Sequence, residues 1–316
     1  MSAGQRLPGT PDPMFRWPGA KGVLLAGDAW GNPDGPLILL QHGGGQTRHA
    51  WKNAGEALGR VGYYAVAFDA RGHGDSDWAP DGVYGQDIMV EDLLCLVQAL
   101  HGRRPVLVGA SMGGGTSLVA TGEDHVDATA LVLVDIAPRI EPAGVEKIGA
   151  FMRQRPEGFD SLEEVAAAIG AYQPHRAPPR DLAGLAKNLR LAANGKYRWH
   201  WDPRFMVLRR EMDKREARLE ACARALSLPT LLVRGGLSDV LSEDGAHAFL
   251  ALCPQAEYAN ITGAGHMVAG DRNDVFGSAV IEFLQRAVPV GGQPLQPAHT
   301  TSPHHEGPPG DLIDIP

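Results

Sequence analysis

The chain has 316 residues, of which 44% are hydrophobic and 21% charged, and this composition excludes a disordered, coiled-coil or collagen-like protein. Its 29 Lys and Arg against 37 Asp and Glu give a net charge of −8, which argues against a general nucleic-acid binder because phosphate contacts need a basic surface. No apolar run approaches the roughly 20 residues of a membrane span, so we expect no membrane association. Length leaves open either two domains or one α/β core with an insertion.

The N-terminal segment 1–13 is polar and rich in Pro and Gly, and it lacks the apolar stretch of a secretory signal. We therefore predict a flexible arm here. Three cysteines, Cys95, Cys222 and Cys253, cannot all pair with one another and lack the spacing of a zinc site. They indicate reduced thiols and hence a cytoplasmic protein.

From residue 14 to residue 135, short apolar segments alternate with segments of helical periodicity. The predicted strands lie at 37–40, 64–68, 105–108 and 130–134, and the predicted helices between them at 49–61 and 87–100. Continuously apolar strands that alternate with helices are typical of a parallel sheet covered on both faces. We therefore predict the first part of an α/β core over 14–135.

Residues 136–227 interrupt this alternation, because they carry several helical patterns and almost no strand. The alternation then resumes, with predicted strands at 230–233 and 256–261 and predicted helices at 243–252 and 274–287. We therefore predict a helical cap at 136–227 and the second part of the core at 228–288. The remaining segment, 289–316, is rich in Pro and His, and we predict a disordered tail.

Glycine is in excess, with 40 of 316 residues, or roughly 13% against a usual ~7%. Glycine clusters follow directly on three of the predicted strands, at 42–45, 69–74 and 109–113. In parallel sheets, ligands bind beyond the carboxyl ends of the strands. The glycine clusters therefore indicate where a functional site would lie.

The last of these clusters, Gly109-Ala110-Ser111-Met112-Gly113, matches the G-x-S-x-G nucleophile elbow. The motif requires a strand before it and a helix after it, so that a sharp turn exposes the serine hydroxyl above the sheet. Both elements are predicted here, and we interpret Ser111 as a nucleophile. A serine hydroxyl needs a base to take its proton, and His266, in a turn after the last predicted strand, is the candidate.

Two carboxylates are candidates for orienting the imidazole of His266, because each follows a predicted strand. Asp239 comes after the strand at 230–233 and Asp135 after the strand at 130–134. We favour Asp239 and keep Asp135 as the alternative. The oxyanion of a tetrahedral intermediate needs backbone N–H donors, for which we predict the amides of Gly44 and Met112.

These motifs resemble those of the α/β-hydrolase superfamily, and the resemblance extends over about residues 15–288. They are Gln41-His42-Gly43-Gly44-Gly45, Asp69-Ala70-Arg71-Gly72-His73-Gly74-Asp75-Ser76, Gly109-Ala110-Ser111-Met112-Gly113-Gly114, Gly236-Leu237-Ser238-Asp239 and Gly265-His266. The resemblance implies an α/β-hydrolase fold, with a mostly parallel central sheet, helices on both faces and a helical cap inserted before the last two strands. It also implies a Ser-Asp-His triad, the two oxyanion amides and a structural turn at 69–77.

The chain is similar to the branch that contains epoxide hydrolases, haloalkane dehalogenases, carboxylesterases, C–C bond hydrolases and cofactor-free haloperoxidases. Epoxide hydrolases and dehalogenases carry an aspartate at the elbow, where this chain has Ser111. Met112 likewise stands where the dehalogenases have a halide-binding tryptophan. The resemblance therefore favours acyl transfer through a serine.

The predicted cap carries 17 Lys and Arg against 12 Asp and Glu, a net charge of +5 that leaves −13 for the rest of the chain. One interpretation is that a basic cap docks on an acidic core. The other is that Arg139, Arg204 and Arg209 face the site and favour a substrate with a carboxylate. Trp199 and Trp201 lie on one face of an extended segment, so they either pack the cap on the core or line the substrate pocket.

We therefore expect a serine hydrolase that cleaves a small to medium carboxylic ester through an acyl-enzyme. No metal or organic cofactor is implied, and the expected partner is the small-molecule ester. The same triad serves C–C bond hydrolases, lactonases, amidases and perhydrolases, and the same fold occurs in small-molecule receptors, so these stay alternatives. The sequence leaves open the acyl and alcohol groups, the stereochemical preference and the oligomeric state.

Overall fold

The computed structural model describes residues 4–173, 182–207, 212–268 and 273–291. Its strands are β1 (Gln5–Arg6), β2 (Phe15–Pro18), β3 (Leu24–Trp30), β4 (Leu37–Gln41), β5 (Tyr64–Phe68), β6 (Val106–Ala110), β7 (Ala130–Val134), β8 (Leu189–Leu191), β9 (Tyr197–Trp199), β10 (Thr230–Gly235) and β11 (Glu257–Ile261). Its α-helices are α1 (Lys52–Arg60), α2 (Gln86–Ala99), α3 (Met112–Gly122), α4 (Pro142–Arg153), α5 (Leu162–Tyr172), α6 (Met212–Ala225), α7 (Glu243–Leu252) and α8 (Asn273–Ala287). Most of the predicted tail, residues 292–316, lies outside the described residues.

The core is an eight-stranded sheet in the order β11-β10-β7-β6-β4-β5-β3-β2. From β11 to β5 all neighbouring strands are parallel, and β3 pairs antiparallel with both β5 and β2. Strands β4, β7 and β10 are buried along their whole length, as expected for apolar strands covered on both faces. The predicted mostly parallel sheet is confirmed.

Helices cover both faces of this sheet. On one face, Leu96 of α2, Leu118 of α3 and Phe249 of α7 belong to one buried cluster. On the other face, Leu58 of α1 and Phe283 of α8 belong to a second cluster. Each such side chain stabilises the fold by about 1.5–3 kcal/mol on removal from water. The six parallel strands therefore have their carboxyl ends at one edge of a rigid sheet.

The structure corrects the predicted C-terminal boundary of the cap. Helix α6 lies inside the predicted cap segment 136–227, yet it packs against α3 of the core. Its residues Leu219, Cys222 and Ala223 form a buried stripe in the same cluster as the core helices. A Cβ at Gly122 of α3 would lie 2.5 Å from the Cα of Cys222, so the two helices are in close contact. Because α6 carries many charged residues, its buried stripe could not be recognised in the sequence. The cap therefore ends before α6.

The inserted cap consists of α4, α5 and the antiparallel pair β8 and β9. Strand β1 adds a third strand, because Gln5 pairs with Leu191 of β8. Arg6 also forms an ion pair with Asp75 of the core, with Nε and Oδ1 2.9 Å apart. Within the predicted flexible arm 1–13, residues 5–6 are thus paired with the cap sheet, and Arg6 is also paired with the core. Composition could not reveal this, since the partners of the arm lie far away in the chain.

The turn at 69–77 is held by buried ion pairs, as expected for a structural turn. Arg48 is fully buried, and its Nη1 lies 2.7 Å from Asp69 Oδ2 and 2.9 Å from Asp75 Oδ2. Its Nε lies 2.9 Å from Asp28 Oδ2 on β3. A buried cation is stable only with such partners, so Arg48 joins the turn to the sheet.

Cys95, Cys222 and Cys253 form no disulfide, and the cytoplasmic location stays a prediction. Across residues 4–173, 182–207, 212–268 and 273–291, no helix has the length and apolarity needed to cross a membrane.

Candidate active site

Ser111 lies on a strained turn between β6 and α3. Its φ of 47° and ψ of −108° are a conformation that non-glycine residues rarely adopt, and the observed strain marks a candidate functional residue. The turn needs small neighbours, because a Cβ at Gly113 would lie 2.6 Å from the carbonyl oxygen of Gln41. The amide of Ser111 donates to the carbonyl of Val134 at 3.1 Å, so the turn is fixed beside the end of β7.

His266 is paired with Asp135. The Nδ1 atom of His266 lies 2.6 Å from Oδ2 of Asp135, whose side chain is fully buried. The same carboxylate accepts from the amide of Gly235 at 2.9 Å and from the hydroxyl of Ser238 at 2.5 Å. A carboxylate with these partners requires the proton of the imidazole on Nδ1. Nε2 is therefore left with a lone pair that can accept a proton.

The structure corrects the sequence-based preference for Asp239 as the partner of His266. The carboxylate of Asp239 instead accepts from Lys147 of α4 at 2.7 Å, and both side chains are about half exposed. Burial opposes the ionisation of Asp239, but the hydrogen bond and charge of Lys147 outweigh it and lower the pKa of this carboxyl. In the sequence, Asp135 immediately follows the last residue of β7, whereas Asp239 lies four residues after the last residue of β10. The longer loop turns Asp239 toward the cap.

Ser238 is a functional candidate that was not predicted from the sequence. Its hydroxyl donates to Asp135 and accepts from the amides of Val240 and Leu241 at 3.1 and 3.2 Å. Ser238 therefore holds one oxygen of the carboxylate in place. Its position in the Gly236-Leu237-Ser238-Asp239 motif was the available signal, but nothing in the motif indicates that the serine faces Asp135.

The predicted oxyanion donors lie beside Ser111. A Cβ at Gly43 would lie 3.4 Å from the Cβ of Ser111, so the loop after β4 is in contact with the turn after β6. Met112 begins α3, where first-turn amides have no acceptor within the helix. Among the described residues, no protein acceptor pairs with the amide of Gly44 or of Met112. Both N–H groups are thus available to a ligand at Ser111.

The side chain of His42 and the amide of Gln46 both contact the Gly43 carbonyl, to which Gln46 donates at 3.1 Å. His42 Nδ1 lies 2.8 Å from the carbonyl oxygen of Gly43, while its Nε2 accepts from the amide of Ala70 at 2.9 Å. Only the neutral imidazole with its proton on Nδ1 satisfies both contacts. The Gly43 carbonyl and the Gly44 N–H belong to one trans peptide and point in opposite directions. His42 and Gln46 together therefore direct the Gly44 N–H away from the buried His42 ring.

Two further buried histidines lie behind the same loop. His200, from the cap, accepts from the amide of Gly74 at 2.7 Å, and its Nε2 lies 3.3 Å from the Gly45 carbonyl. Its ring and that of His73 have centroids 5.8 Å apart. Burial lowers the pKa of His42 to about 4 and that of His73 to about 3, and it brings the pKa of His200 well below its ordinary value. All three rings are neutral at pH 7.

The cap covers the loop after β4 with apolar side chains. A Cβ at Gly44 would lie 3.7 Å from Phe205 Cε1 and 4.0 Å from Met152 Sδ. Gly45 has a φ of +75°. A Cβ at this position would lie close to both Met152 and Trp201, with Trp201 Cζ3 3.5 Å away. We call Met152, Trp201 and Phe205 the apolar roof. Trp201 is one of the pocket residues predicted from the sequence, whereas Met152 and Phe205 lie in helical segments whose sequence carries no signal for such a role.

The other proposed pocket residues have different positions. Arg139 is exposed, and Arg209 lies outside the described residues. Arg204 is tied to Asp202 at 2.6 Å and to the carbonyl of Ala79 at 2.8 Å. Trp199 is buried behind the roof, stacked on Trp201 with ring centroids 5.0 Å apart. Within the described ranges, no group of three or more His, Cys, Asp or Glu side chains is arranged to hold a metal ion.

Comparison with known proteins identifies the family. Residues 32–273, which are more than half of the chain, match the sequence model of a hydrolase family. That family is described as serine aminopeptidase, S33. The chain belongs to the α/β-hydrolase family. The hydrolase is 34% identical over 222 residues to an esterase of Mycobacterium tuberculosis, covering 68% of this chain and 70% of the relative. It is 27% identical over 256 residues to a 3-hydroxybutyrate-oligomer hydrolase of Cupriavidus necator, covering 77% and 86%.

Solved structures agree with the fold. The hydrolase matches the crystal structure of E-2-(acetamidomethylene)succinate hydrolase with a TM-score of 0.75 at 23% identity, covering 86% of this chain and 98% of the other. It matches the structure of an M. tuberculosis esterase with a TM-score of 0.67 at 26% identity, covering 87% and 93%. The α/β-hydrolase fold predicted from the sequence is thus confirmed.

Proposed function

We propose that this hydrolase is a serine carboxylesterase with Ser111 as nucleophile, His266 as base and Asp135 as the acid that orients His266. The observation that carries the proposal is the 2.6 Å contact between His266 Nδ1 and a buried carboxylate, at the sheet edge where Ser111 occupies a strained turn. Ester hydrolysis uses these parts together: a nucleophile, a neutral base and donors for an oxyanion.

The reaction begins when Ser111 Oγ attacks the ester carbonyl and its proton passes to His266 Nε2. Asp135 stabilises the resulting imidazolium through Nδ1. The carbonyl oxygen becomes an oxyanion, and the amides of Gly44 and Met112 donate to it. His266 then protonates the leaving alcohol, and the C–O bond to the alcohol breaks. Water, deprotonated by His266, attacks the acyl-enzyme, and the carboxylic acid leaves as Ser111 regains its proton.

The relatives support an ester as the substrate. One relative at 34% identity is named an esterase, and another, a mouse protein 28% identical over 271 residues, is named an sn-1-specific diacylglycerol lipase. Both names describe cleavage of carboxylic esters. Among the described residues, no contact at the site favours a C–C bond, a lactone, an amide or a peracid over an ester.

The test is a hydrolysis panel of 4-nitrophenyl esters, lactones, anilides and a vinylogous diketone, run beside labelling with a fluorophosphonate probe. We expect turnover of the esters and labelling of the wild-type protein, and neither with Ser111→Ala. Ser161→Ala is the matched control, because Ser161 only caps α5 by accepting from the amide of Glu164 at 3.3 Å. It should keep both labelling and turnover.

An absence of ester turnover together with an unlabelled Ser111 would overturn the proposal. Faster cleavage of the diketone than of any ester would replace it with C–C bond hydrolysis. Specific ligand binding without turnover would replace it with a receptor function.

A further inference from the structure

We infer that His200 of the cap is a positioning residue of the reaction, and that it holds the glycine loop 43–45 in place for the oxyanion. This inference rests on the proposed ester hydrolysis and concerns the same site. The imidazole of His200 is fully buried at the junction of cap and core, where it contacts two loops of the core.

The two nitrogen atoms of the His200 ring have different partners. Nδ1 accepts from the amide of Gly74 at 2.7 Å, so this nitrogen carries no proton. The proton of the neutral ring therefore lies on Nε2, which donates to the carbonyl oxygen of Gly45 at 3.3 Å. Within the part of the chain that the structure describes, no other group donates to this carbonyl. His200 thus joins the turn at 69–77 to the loop after β4.

The backbone around His200 fixes the position of the ring. The amide of His200 donates to the carbonyl of Asn188 in the cap at 3.2 Å, and its carbonyl accepts from Nε1 of Trp78 in the core at 3.4 Å. Two residues later, the amide of Asp202 donates to the carbonyl of Gly72 at 2.8 Å. The ring therefore keeps its place only while this segment of the cap is docked on the core.

The loop 43–45 depends on contacts at both of its ends. Its three consecutive glycines have more backbone freedom than other residues, and Gly45 has a φ of +75°. The peptide that bears the Gly44 amide is held from within the core, through the carbonyl of Gly43. The Gly45 carbonyl is held from the cap, through His200. The Gly44 amide thus lies between one contact of the core and one contact of the cap.

A loop held at both ends affects the rate more than the binding of the ester. The oxyanion forms only as the ester carbonyl is attacked, and donors that already point at its position need no reorganisation at that moment. A contact that holds the loop should therefore contribute to kcat and contribute little to KM. Through His200, the docked cap takes part in stabilising the oxyanion.

The experiment measures kcat and KM on 4-nitrophenyl butyrate. His200→Leu removes both ring contacts and should lower kcat by about 10-fold, with KM within about twofold of the wild type. Asparagine and glutamine separate the two contacts. The oxygen of asparagine ends near the position of Nδ1 and can accept from Gly74, whereas the amide nitrogen of glutamine ends near Nε2 and can donate to Gly45. His200→Gln should therefore recover kcat to within about threefold of the wild type, and His200→Asn should be as slow as His200→Leu.

Arg6→Ala is the matched control for a loosened cap. Arg6 is next to β8 of the cap sheet, and its Nε lies 2.9 Å from Oδ1 of Asp75 in the turn at 69–77. None of the contacts that the structure describes for Arg6 is to the loop 43–45. Arg6→Ala should leave kcat and KM within about twofold of the wild type. Thermal unfolding of each variant shows whether the protein is folded.

Equal kcat values for folded His200→Gln and His200→Asn would overturn the inference, since the contact with Gly45 would then contribute nothing to the rate. A rise in KM at constant kcat in His200→Leu would also overturn it, because His200 would then only dock the cap. So would an equal loss of kcat in Arg6→Ala. Each of these results leaves ester hydrolysis standing. Failure of the proposed function itself differs, because the wild-type protein would then turn over no ester.

Discussion

The pair of carboxylates near His266 allows a sharp test of the site. Asp135→Asn keeps the shape of the side chain but replaces one acceptor oxygen with an amide nitrogen that donates. Oδ1 of Asp135 accepts from Gly235, and Oδ2 accepts from both Ser238 and His266. The peptide amide of Gly235 can only donate, so the new amide group settles with its nitrogen toward His266. The imidazole must then accept at Nδ1 and carry its proton on Nε2, where it cannot act as base.

We expect Asp135→Asn to lower kcat/KM by roughly 10³–10⁴-fold, which corresponds to about 4–5 kcal/mol of transition-state stabilisation. Asp239→Asn is the matched control. It removes the half-exposed ion pair with Lys147, whose contribution to stability is about 0–1 kcal/mol, and a weaker charge interaction with His266, so activity should stay within about threefold. The measurement is kcat/KM on 4-nitrophenyl butyrate, with thermal unfolding of each variant to show that the protein is folded.

The reverse result would refute this assignment. If folded Asp135→Asn kept activity within about tenfold while Asp239→Asn lost about 10³-fold or more, then Asp239 would orient His266 during catalysis. Large losses in both variants would mean that His266 depends on both carboxylates.

Three further predictions follow from the buried groups around the loop after β4. His42→Leu removes one of two donors to the Gly43 carbonyl and leaves the amide of Gln46, so kcat should fall by about 10-fold with KM nearly constant. His42→Asn offers an N–H at a similar position and should recover most of the rate; equal rates for both variants would argue against this positioning role. Arg48→Met leaves carboxylates such as Asp69 without their buried partner and should lower the free energy of unfolding by about 3–5 kcal/mol in urea titrations. Because burial depresses the pKa of His42 to about 4 and of His73 to about 3, both below the unfolded value, their contribution to stability is complete above about pH 6.5. It should be lost as the pH falls toward 4, by about 1 kcal/mol per pH unit for each histidine, and a flat urea profile over that range would contradict it.

The strands and the nucleophile turn were predictable because their signals are local. A strand such as β4 or β7 is buried on both faces, and an uninterrupted run of apolar residues in the strand itself predicts this burial. The turn at Ser111 likewise needs small residues at 109 and 113, within the motif itself. For the same reason His266 could be proposed from a glycine-rich turn after the last strand.

The choice between two carboxylates was not predictable in this way. Asp135 and Asp239 both follow strands, and both satisfy the chain order Ser, Asp, His. The difference lies in the partners that each side chain meets. Asp135 meets Gly235, Ser238 and His266, whereas Asp239 meets a lysine of the cap.

The sequence by itself thus determined the parallel sheet and indicated the edge that bears the candidate site and the candidate nucleophile Ser111, because each depends on how a single segment is buried or turned. Tertiary structure alone decided that Asp135 contacts His266, that α6 belongs to the core, that residues 5–6 join the cap sheet and that His42 accepts from the amide of Ala70. Each of these outcomes depends on contacts between segments far apart in the chain. Hydrogen bonds, ion pairs and packing between such segments depend on distances that no local pattern encodes.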